Sequence, residues 1–587
     1  MKVIRNYLYN LSYQILNIIL PIITVPYVTR IFTSEELGNY GFYNSIVSYF
    51  ALFAMLGISI YGTKQIAASR DVSSTFWNIY IIQVITSGIA IVIYFFIIKL
   101  IPGMSGMIPL ILAISLFGKL VDISWLFSGK EDFKKITIRN GIVKLAGVIS
   151  IFTFIKSQDQ LYLYVFFLVV FDFLGQLVMW VPARKFLRKP AFNKEIIKTH
   201  IKPTVMLFLP QVAISLYVVL DRTLLGVLGS YSDVGIYEQG QKLTSILLTV
   251  VSSLGTVMLP RVSNLLSDNK HKEAENMVKF SFTLYNLIIF PMVFGLLAVN
   301  EIFIKLFLGE SFQDVKYVIY IITINIMFIG WTNILGFQVL VVRDKNKEFM
   351  LSTTIPAVVS VLVNLAMIPW LGYIGASITS VIVEFLVFAI QWYYSRNIIN
   401  KGLLFNKELL KIIIAAVGMF AVIEGAKMLS SLSGLLGLVV YVLVGGTIYL
   451  FILLLLKAIN IREIKATLKA ARNKYKDKQA VVRNCIAYIN DRIAEKISLD
   501  NVSEYLGVNK SYLSSIFNKD MGISIVDYIH DKRVSNACYL LANTDFSISE
   551  VADYIGYFDT SYFIRIFKTI MKVTPLKYRE SAAKLRH

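Results

Sequence analysis

The sequence predicts an all-α, polytopic membrane protein of about fourteen transmembrane helices, arranged as two six-helix bundles plus two extra helices, followed by a small soluble all-α domain. Three observations carry this. Apolar runs of about twenty residues recur to about Leu456, each long enough to cross roughly 30 Å of hydrocarbon. The 587 residues are 56% hydrophobic and only 16% charged, too apolar for a water-soluble protein. Beyond the last run the chain turns charged and regularly punctuated, with no spanning stretch. The expected division is 1–456 as membrane domain, 457–478 as basic juxtamembrane linker and 479–587 as soluble domain.

The first span, near residues 11–31, contains Pro21 and Pro26, carries Arg30 near its end, and leads into Glu36-Leu37-Gly38-Asn39-Tyr40. The seventh, near 204–228, repeats the design with Pro210, Asp221-Arg222 and then Asp233-Val234-Gly235-Ile236-Tyr237. An acidic residue, an aliphatic one, Gly, any residue and Tyr, at the mouths of corresponding hairpins, mark an internal repeat. Proline is expected to break both helices. Two related halves with broken first helices place a transport site between them.

Within the first half, further spans fall near 39–61, 76–99, 107–127, 138–155 and 160–182. The second half continues near 236–259, 281–304, 317–341, 352–371 and 373–394. The basic segment 183–202 sits where a hinge between the halves belongs. Spans near 409–429 and 434–456 lie outside the repeat. With the N-terminus in the cytoplasm, inside loops hold about 26 Lys/Arg against 6 outside, a strong positive-inside bias. An even number of spans then returns the C-terminus to the cytoplasm.

That bias absorbs most of the formal charge of +21, because from Asp477 onward the balance is only about +2. The basic stretch from Lys457 to Lys478 suits anionic lipid head groups. The first apolar run leads directly into the repeat, so no cleavable signal peptide is expected. Cys485 and Cys538, both in the soluble part, point to a reduced compartment. The four histidines are scattered without metal-ligand spacing, and no nucleophile, phosphate loop or cofactor motif argues for an enzyme.

A Lys, Arg or Asp at the centre of a spanning helix costs roughly 2.5–3.5 kcal/mol, so each needs a reason. Lys119 and Asp122 are three residues apart on one predicted helix face. Lys144, Asp172, Asp221 and Arg222 follow in spans five to seven, Glu384 in the twelfth and Glu424 in the thirteenth. Structural pairing is the expected role of Glu424 and Lys427. Lys119, Asp122, Lys144, Asp172, Asp221 and Arg222 cluster in spans four to seven, near the expected interface between halves. Cations there would hold an anionic head group; carboxylates would neutralise the empty cavity or carry coupling protons.

Leu37-Gly38-Asn39-Tyr40-Gly41, Leu56-Gly57-Ile58, Tyr61-Gly62-Thr63-Lys64-Gln65-Ile66-Ala67 and Phe127-Ser128-Gly129-Lys130-Glu131-Asp132-Phe133-Lys134-Lys135-Ile136 stand in order along these spans. Asp221-Arg222, Gly235-Ile236-Tyr237 and Leu259-Pro260-Arg261 follow. With them the first 470 or so residues resemble the Wzx-type polysaccharide flippases of the multidrug and toxin extrusion superfamily. The resemblance implies two bundles around a cavity that opens alternately to each side of a bacterial cytoplasmic membrane. It implies an undecaprenyl-pyrophosphate-linked oligosaccharide as substrate, with a polysaccharide polymerase and glycosyltransferases as membrane partners. Arg222, Lys119, Lys144, Arg30 and Lys64 are then the candidates for the pyrophosphate and sugar path, with Asp122, Asp172 and Asp221 beside them.

From Ser498 to Arg579 the pattern is helical with turns at Gly507 and Gly556. Leu499–Val508 and Asn509–Phe517 read as a first helix-turn-helix unit, with Leu513, Ile516 and Phe517 inward and Lys510, Ser511, Ser514, Ser515 and Asn518 outward. In the second unit Ser547 and Glu550 form a capping box, and Asp559 caps a helix from Thr560 to Ile570. Phe563, Ile566 and Phe567 face inward there; Thr560, Ser561, Ile564, Arg565 and Lys568 face outward. A helix from Ile525 to Leu541, roughly 25 Å long, separates two recognition helices that must meet major grooves about 34 Å apart.

Tyr512-Leu513-Ser514, Gly522, Tyr528, Arg533 with Ala537, Leu540-Leu541, Ile548, Val551-Ala552, Gly556-Tyr557, Asp559-Thr560-Ser561-Tyr562-Phe563, Arg565, Phe567-Lys568, Thr574-Pro575 and Tyr578-Arg579 closely resemble the DNA-binding domain of AraC-type regulators. Met571-Lys572-Val573 departs from that pattern, which has a glycine before Thr-Pro, and Ser515 stands where Arg is frequent. The two resemblances together imply a flippase carrying a cytoplasmic DNA-binding module. The alternatives are a membrane-tethered regulator whose transporter fold is a sensor, a small-molecule exporter, a helical protein-interaction tail, and two neighbouring genes joined in error.

Overall fold

The computed structural model describes residues 16, 19–69, 71–100, 106–190, 192–267, 269–399, 402, 406–430, 432–458, 479–495 and 497–584. Contacts divide them into two compact units, one within Arg5–Ile459 and one within Asn460–His587. Both are all-α among the described residues. Most of the first eighteen residues, and 459–478 of the expected linker, lie outside the description.

In the membrane unit the first half comprises α1 (Ile19–Ile31), α2 (Ser34–Met55), α3 (Ile58–Ala68), α4 (Val72–Leu100), α5 (Met107–Val121), α6 (Ser124–Gly129), α7 (Phe133–Phe154), α8 (Leu161–Val178) and α9 (Trp180–Ala183). The second half comprises α10 (Lys194–Leu228), α11 (Tyr231–Ser267), α12 (His271–Phe307), α13 (Val315–Ile322), α14 (Asn325–Thr332) and α15 (Asn346–Ser395). Helices α16 (Lys407–Leu429) and α17 (Gly434–Leu455) pack together and against α12.

Ten helices among the described residues are long and apolar enough to span a bilayer. The exact number of fourteen goes beyond that. One of the ten is α15, whose 50 residues contain a non-helical Gly372 at φ +51, where the chain folds between two expected spans. Helices α10 and α11, at 35 and 37 residues, are also of spanning length.

The expected proline breaks do not occur. From Ile19 to Ile31 the helix runs through positions 21 and 26, and α10 runs through 203 and 210. Side chains on this helix also bond back to its own carbonyls. Thr24 and Thr29 hydroxyls donate to the carbonyls of Leu20 and Val25, and Arg30 Nη1 donates to Pro26 O at 2.5 Å. The real breaks fall elsewhere. Leu56 and Gly57 both adopt positive φ between α2 and α3. A Cβ on Gly57 would lie 2.8 Å from Thr204 O, so only glycine lets α3 approach α10 this closely.

The repeated motif explains itself in the packing. Its acidic residue is the third residue of a reciprocal cap in both halves. Thr33 and Glu36 form a capping box, while Ser230 Oγ accepts from Asp233 N–H and Asp233 Oδ2 accepts from Ser230 N–H. Its glycines face each other across the two bundles. A Cβ on Gly38 would lie 1.6 Å from Tyr231 O, and one on Gly235 would lie 1.9 Å from Ser34 O. Ser34 and Ser232 hydroxyls meet there at 2.8 Å, and α2 with α11 is the most extensive helix pair in the protein. One apolar core, including Leu37, Leu225, Tyr237 and Phe312, extends through both halves around this crossing.

The tail begins with α18 (residues 479–491), followed by α19 (Leu499–Tyr505) and α20 (Lys510–Met521). Then come α21 (Ile525–Asn543), α22 (Ile548–Tyr554), α23 (Thr560–Met571) and α24 (Pro575–Lys584). The tail has two small cores. Val482, Cys485, Leu513 and Phe517 form one; Val551, Ala552, Phe563 and Phe567 form the other. Helix α21 supplies Ile525, Tyr528 and Ile529 to the first and Val534, Ala537 and Leu541 to the second. The Ser547–Glu550 capping box is present, and Asp559 caps α23 by accepting from Tyr562 N–H. Lys572 takes φ +64, the position where the AraC pattern has glycine, at a cost of about 1–2 kcal/mol for an L-residue.

Candidate functional site

A cavity of about 290 Å³ lies in the second bundle between α10, α11, α13, α14 and α15. Its charged lining is Asp221, Arg222, Lys242 and Glu384, with Gln241, Asn325, Ser360 and Ser380 among the polar groups.

Asp221 and Arg222 do not pair with each other, because successive helix residues point about 100° apart. Asp221, 5% exposed, accepts from Tyr237 Oη at 2.5 Å and Asn364 Nδ2 at 2.7 Å. Tyr237 in turn accepts from Gln241 Nε2 at 2.9 Å. The tyrosine of the second repeat motif therefore fixes the aspartate at the end of the preceding helix.

Arg222 reaches Glu238 instead, Nη1 to Oε1 at 4.0 Å. Lys242, one turn beyond Glu238 on α11, meets the same oxygen at 2.9 Å. Glu238 is 5% exposed, while Arg222 and Lys242 are 22% and 41% exposed. Its second oxygen has no hydrogen-bond partner among the described residues and abuts Gly41 of α2, where a Cβ would lie 2.1 Å away. The buried Nε of Arg222 is also without a partner. Two cations thus share one oxygen of one carboxylate, leaving donors to spare. A smaller pocket of about 30 Å³, lined by Thr24, Thr29, Tyr40, Tyr164 and Gln239, crosses between the halves and shares Lys242 with the larger cavity.

In the tail, α23 presents Ser561, Ile564, Arg565 and Lys568 exposed, with Thr560 half-buried and in contact with Ser549 Oγ at 3.2 Å. The Arg565 guanidinium stands 5.1 Å over the Tyr562 ring. On α20, Ser515 and Asn518 are exposed and Ser514 is half-buried, while Lys510 is held by Asp500 at 2.8 Å. The side chain of Ser511 lies outside the description.

Residues 3–266 match the family model described as polysaccharide biosynthesis protein, and 502–581 match one described as helix-turn-helix domain. The "Putative O-antigen transporter" of Escherichia coli (strain K12) is 24% identical over 401 residues, covering 67% of this chain and 96% of that protein. The structure titled lipid II flippase MurJ, inward closed conformation, superposes with a TM-score of 0.62 at 12% identity, over 76% of this chain and 98% of that one. The arabinose operon regulatory protein of Salmonella typhimurium is 32% identical over 99 residues, 17% of this chain. The tail spans about a third of that regulator, 35%. The membrane unit is O-antigen-flippase-like, and the tail is a helix-turn-helix domain similar to those of AraC-type regulators.

Of the eight sequence candidates in the flippase-like unit, the cavity gathers only Asp221 and Arg222. Lys119 and Asp122 do not share a helix face, since α5 ends at Val121 and Asp122 is extended. Gln83 Nε2 donates to the carbonyls of both, at 2.7 and 2.9 Å, and Asp122 Oδ1 accepts from Ser124 N–H. Lys144 on α7 feels the charge of Asp172 on α8, which is itself exposed. Lys64 is exposed on α3. Arg30 donates to Leu306 O at 2.6 Å and Phe307 O at 3.4 Å, joining α1 to α12. Lys427 pairs with Glu424 at 2.8 Å and donates to Ala298 O, the structural role expected of it.

Sequence reasoning missed Glu238 and Lys242. Their signal was an acidic and a basic residue four apart inside the eighth span, directly after Tyr237.

Proposed function

We propose that the flippase-like unit carries an undecaprenyl-pyrophosphate-linked oligosaccharide from the cytoplasmic to the outer leaflet by alternating access, and that the AraC-type tail binds DNA from the cytoplasmic side. The observation that carries the transport reading is the Arg222–Glu238–Lys242 trio beside a membrane-embedded cavity. Holding two cations against one buried carboxylate at membrane depth is costly unless a further anion completes their hydrogen bonding. A pyrophosphate supplies that anion, and Arg222 offers it a planar pair of donors. Small-molecule export fits less well, because it calls for an apolar pocket with few cations. About 290 Å³ holds a pyrophosphate but not a sugar repeat, so the glycan requires the bundles to part.

The positive-inside bias supports a bacterial cytoplasmic membrane location with both termini in the cytoplasm. The Gly38–Gly235 crossing then closes the outer side, and 457–478 tethers residues 479–587 at the inner surface. Arg30, Lys64, Lys119, Asp122, Lys144 and Asp172 would act along the path in other states of the cycle. A polymerase and glycosyltransferases would supply and consume the glycolipid.

Expression of the full chain in a strain lacking its own O-antigen transporter is expected to restore surface polymer. An immunoblot of the native host is expected to show the membrane unit and the tail on one polypeptide. Wild-type membrane levels without polymer, in hosts making several different glycans, would count against the transport reading.

For the tail, the exposed polar face of α23 supports groove contact. Arg565→Ala in the full chain is expected to weaken binding to a selected duplex by roughly 5- to 150-fold. A footprint unchanged by this substitution would argue for a protein partner instead.

A further inference from the structure

Arg533 and His530 lie on α21 where its first core ends and its second begins. Ile529 belongs to one cluster and Val534 to the other. Buried Arg533 donates through Nε to Ile493 O at 2.9 Å and through Nη2 to Glu495 O at 2.6 Å, in the loop after α18. Its guanidinium also covers the ring of Tyr557, 5.2 Å from the centroid, in the turn of the second unit. Next to Arg533 in that turn, a Cβ on Gly556 would lie 2.7 Å from Ala494 O, so the turn sits directly on the first unit's loop.

His530 continues this chain of contacts toward the recognition helix. Its Nδ1 is 2.7 Å from Tyr557 Oη and its Nε2 is 3.4 Å from Tyr562 Oη. The ring of Tyr562 then carries Arg565. A neutral imidazole has one donor and one acceptor nitrogen, which suits two hydroxyls, one accepting and one donating.

We propose that His530 is a positioning residue for sequence reading by the tail: through Tyr557 and Tyr562 it fixes α23, and with it Arg565, relative to the first unit. This rests on the DNA-binding reading of the tail. Beside shared α21, the two small units meet through Arg533 and the Gly556 turn on the Ala494 loop, and His530 extends that contact toward α23. An arginine contacting guanine O6 and N7 needs a fixed approach.

A pH dependence follows. Burial, then the neighbouring Arg533, hold the imidazole below its ordinary value of 6.5, with Asp527 and Asp531 opposing. From the second unit it faces only the tyrosines 557 and 562 among the groups named as its partners. The network is therefore intact above about pH 6.5 and weakens as pH falls through the lowered value, because the charged ring is then held half-buried beside the Arg533 guanidinium.

The test uses the full chain in nanodiscs, selecting duplexes from a pool with a randomised centre. At pH 7.5, His530→Ala and Tyr562→Phe are expected to lose about tenfold preference at the base positions that Arg565→Ala also loses. Preference at the remaining positions stays. His530→Gln, which keeps a donor and an acceptor, is expected to retain the wild-type preference at pH 7.5 and to hold it through an acid titration in which the wild-type preference falls. Tyr562→Phe keeps the ring beneath Arg565, so it separates positioning from misfolding. Wild-type enrichment together with unchanged preference in both His530→Ala and Tyr562→Phe would overturn the positioning role alone. No enrichment by the wild type would overturn the DNA-binding reading and this inference with it.

Discussion

Cysteines introduced by Ser34→Cys and Ser232→Cys are expected to join spontaneously and stop transport, with reductant restoring it. The two hydroxyls already lie 2.8 Å apart, so the paired sulfurs need little backbone movement to bond. The glycines beside them hold α2 and α11 at backbone contact, and no side chain fits between. If this crossing must open to release substrate outward, a disulfide, which keeps its two Cα atoms within about 7 Å, excludes the open state for as long as the bond lasts. A protease site within residues 183–193 lets a gel report the crosslink directly. Each single substitution should transport normally. Complete crosslinking with full transport would mean that the α2–α11 contact persists throughout the cycle.

The second large effect concerns the charge trio. Arg222→Gln and Lys242→Gln each remove a charge-assisted donor, worth about 1.5–3 kcal/mol, and should lower glycolipid affinity by about 10- to 150-fold. Both residues touch the same oxygen of Glu238, so the double variant should fall short of the sum. Glu238→Gln should act in the opposite direction on binding, because it removes the anion that competes with substrate for both cations. It also loosens the wedge against Gly41, so its turnover is a separate readout. Equal loss in all three variants would identify the trio as structural.

Much of the fold was legible because it follows from solvation and repetition. Apolar runs near 30 Å long, the Glu-Leu-Gly-x-Tyr and Asp-Val-Gly-x-Tyr motifs, and the capping residues of the tail each specify local structure. Proline misled, since both helices run on through it. The site was only half legible. Asp221 and Arg222 were visible as charges in an apolar helix, but their adjacency suggested a pair that helix geometry forbids. Glu238 and Lys242 stood in a span read for its hydrophobicity, and their meaning depends on Arg222 arriving from another helix. In the tail, recognition-face residues followed from helical period. The His530 network did not, because it joins residues 27 and 32 positions apart through tertiary packing.

The most direct measurement is native mass spectrometry of the purified full chain with undecaprenyl pyrophosphate and undecaprenyl monophosphate. The wild type should prefer the pyrophosphate, and the Arg222→Gln, Lys242→Gln double variant should bind both lipids equally and weakly. Undiminished pyrophosphate preference in the folded double variant would contradict the assignment of this cavity to the head group.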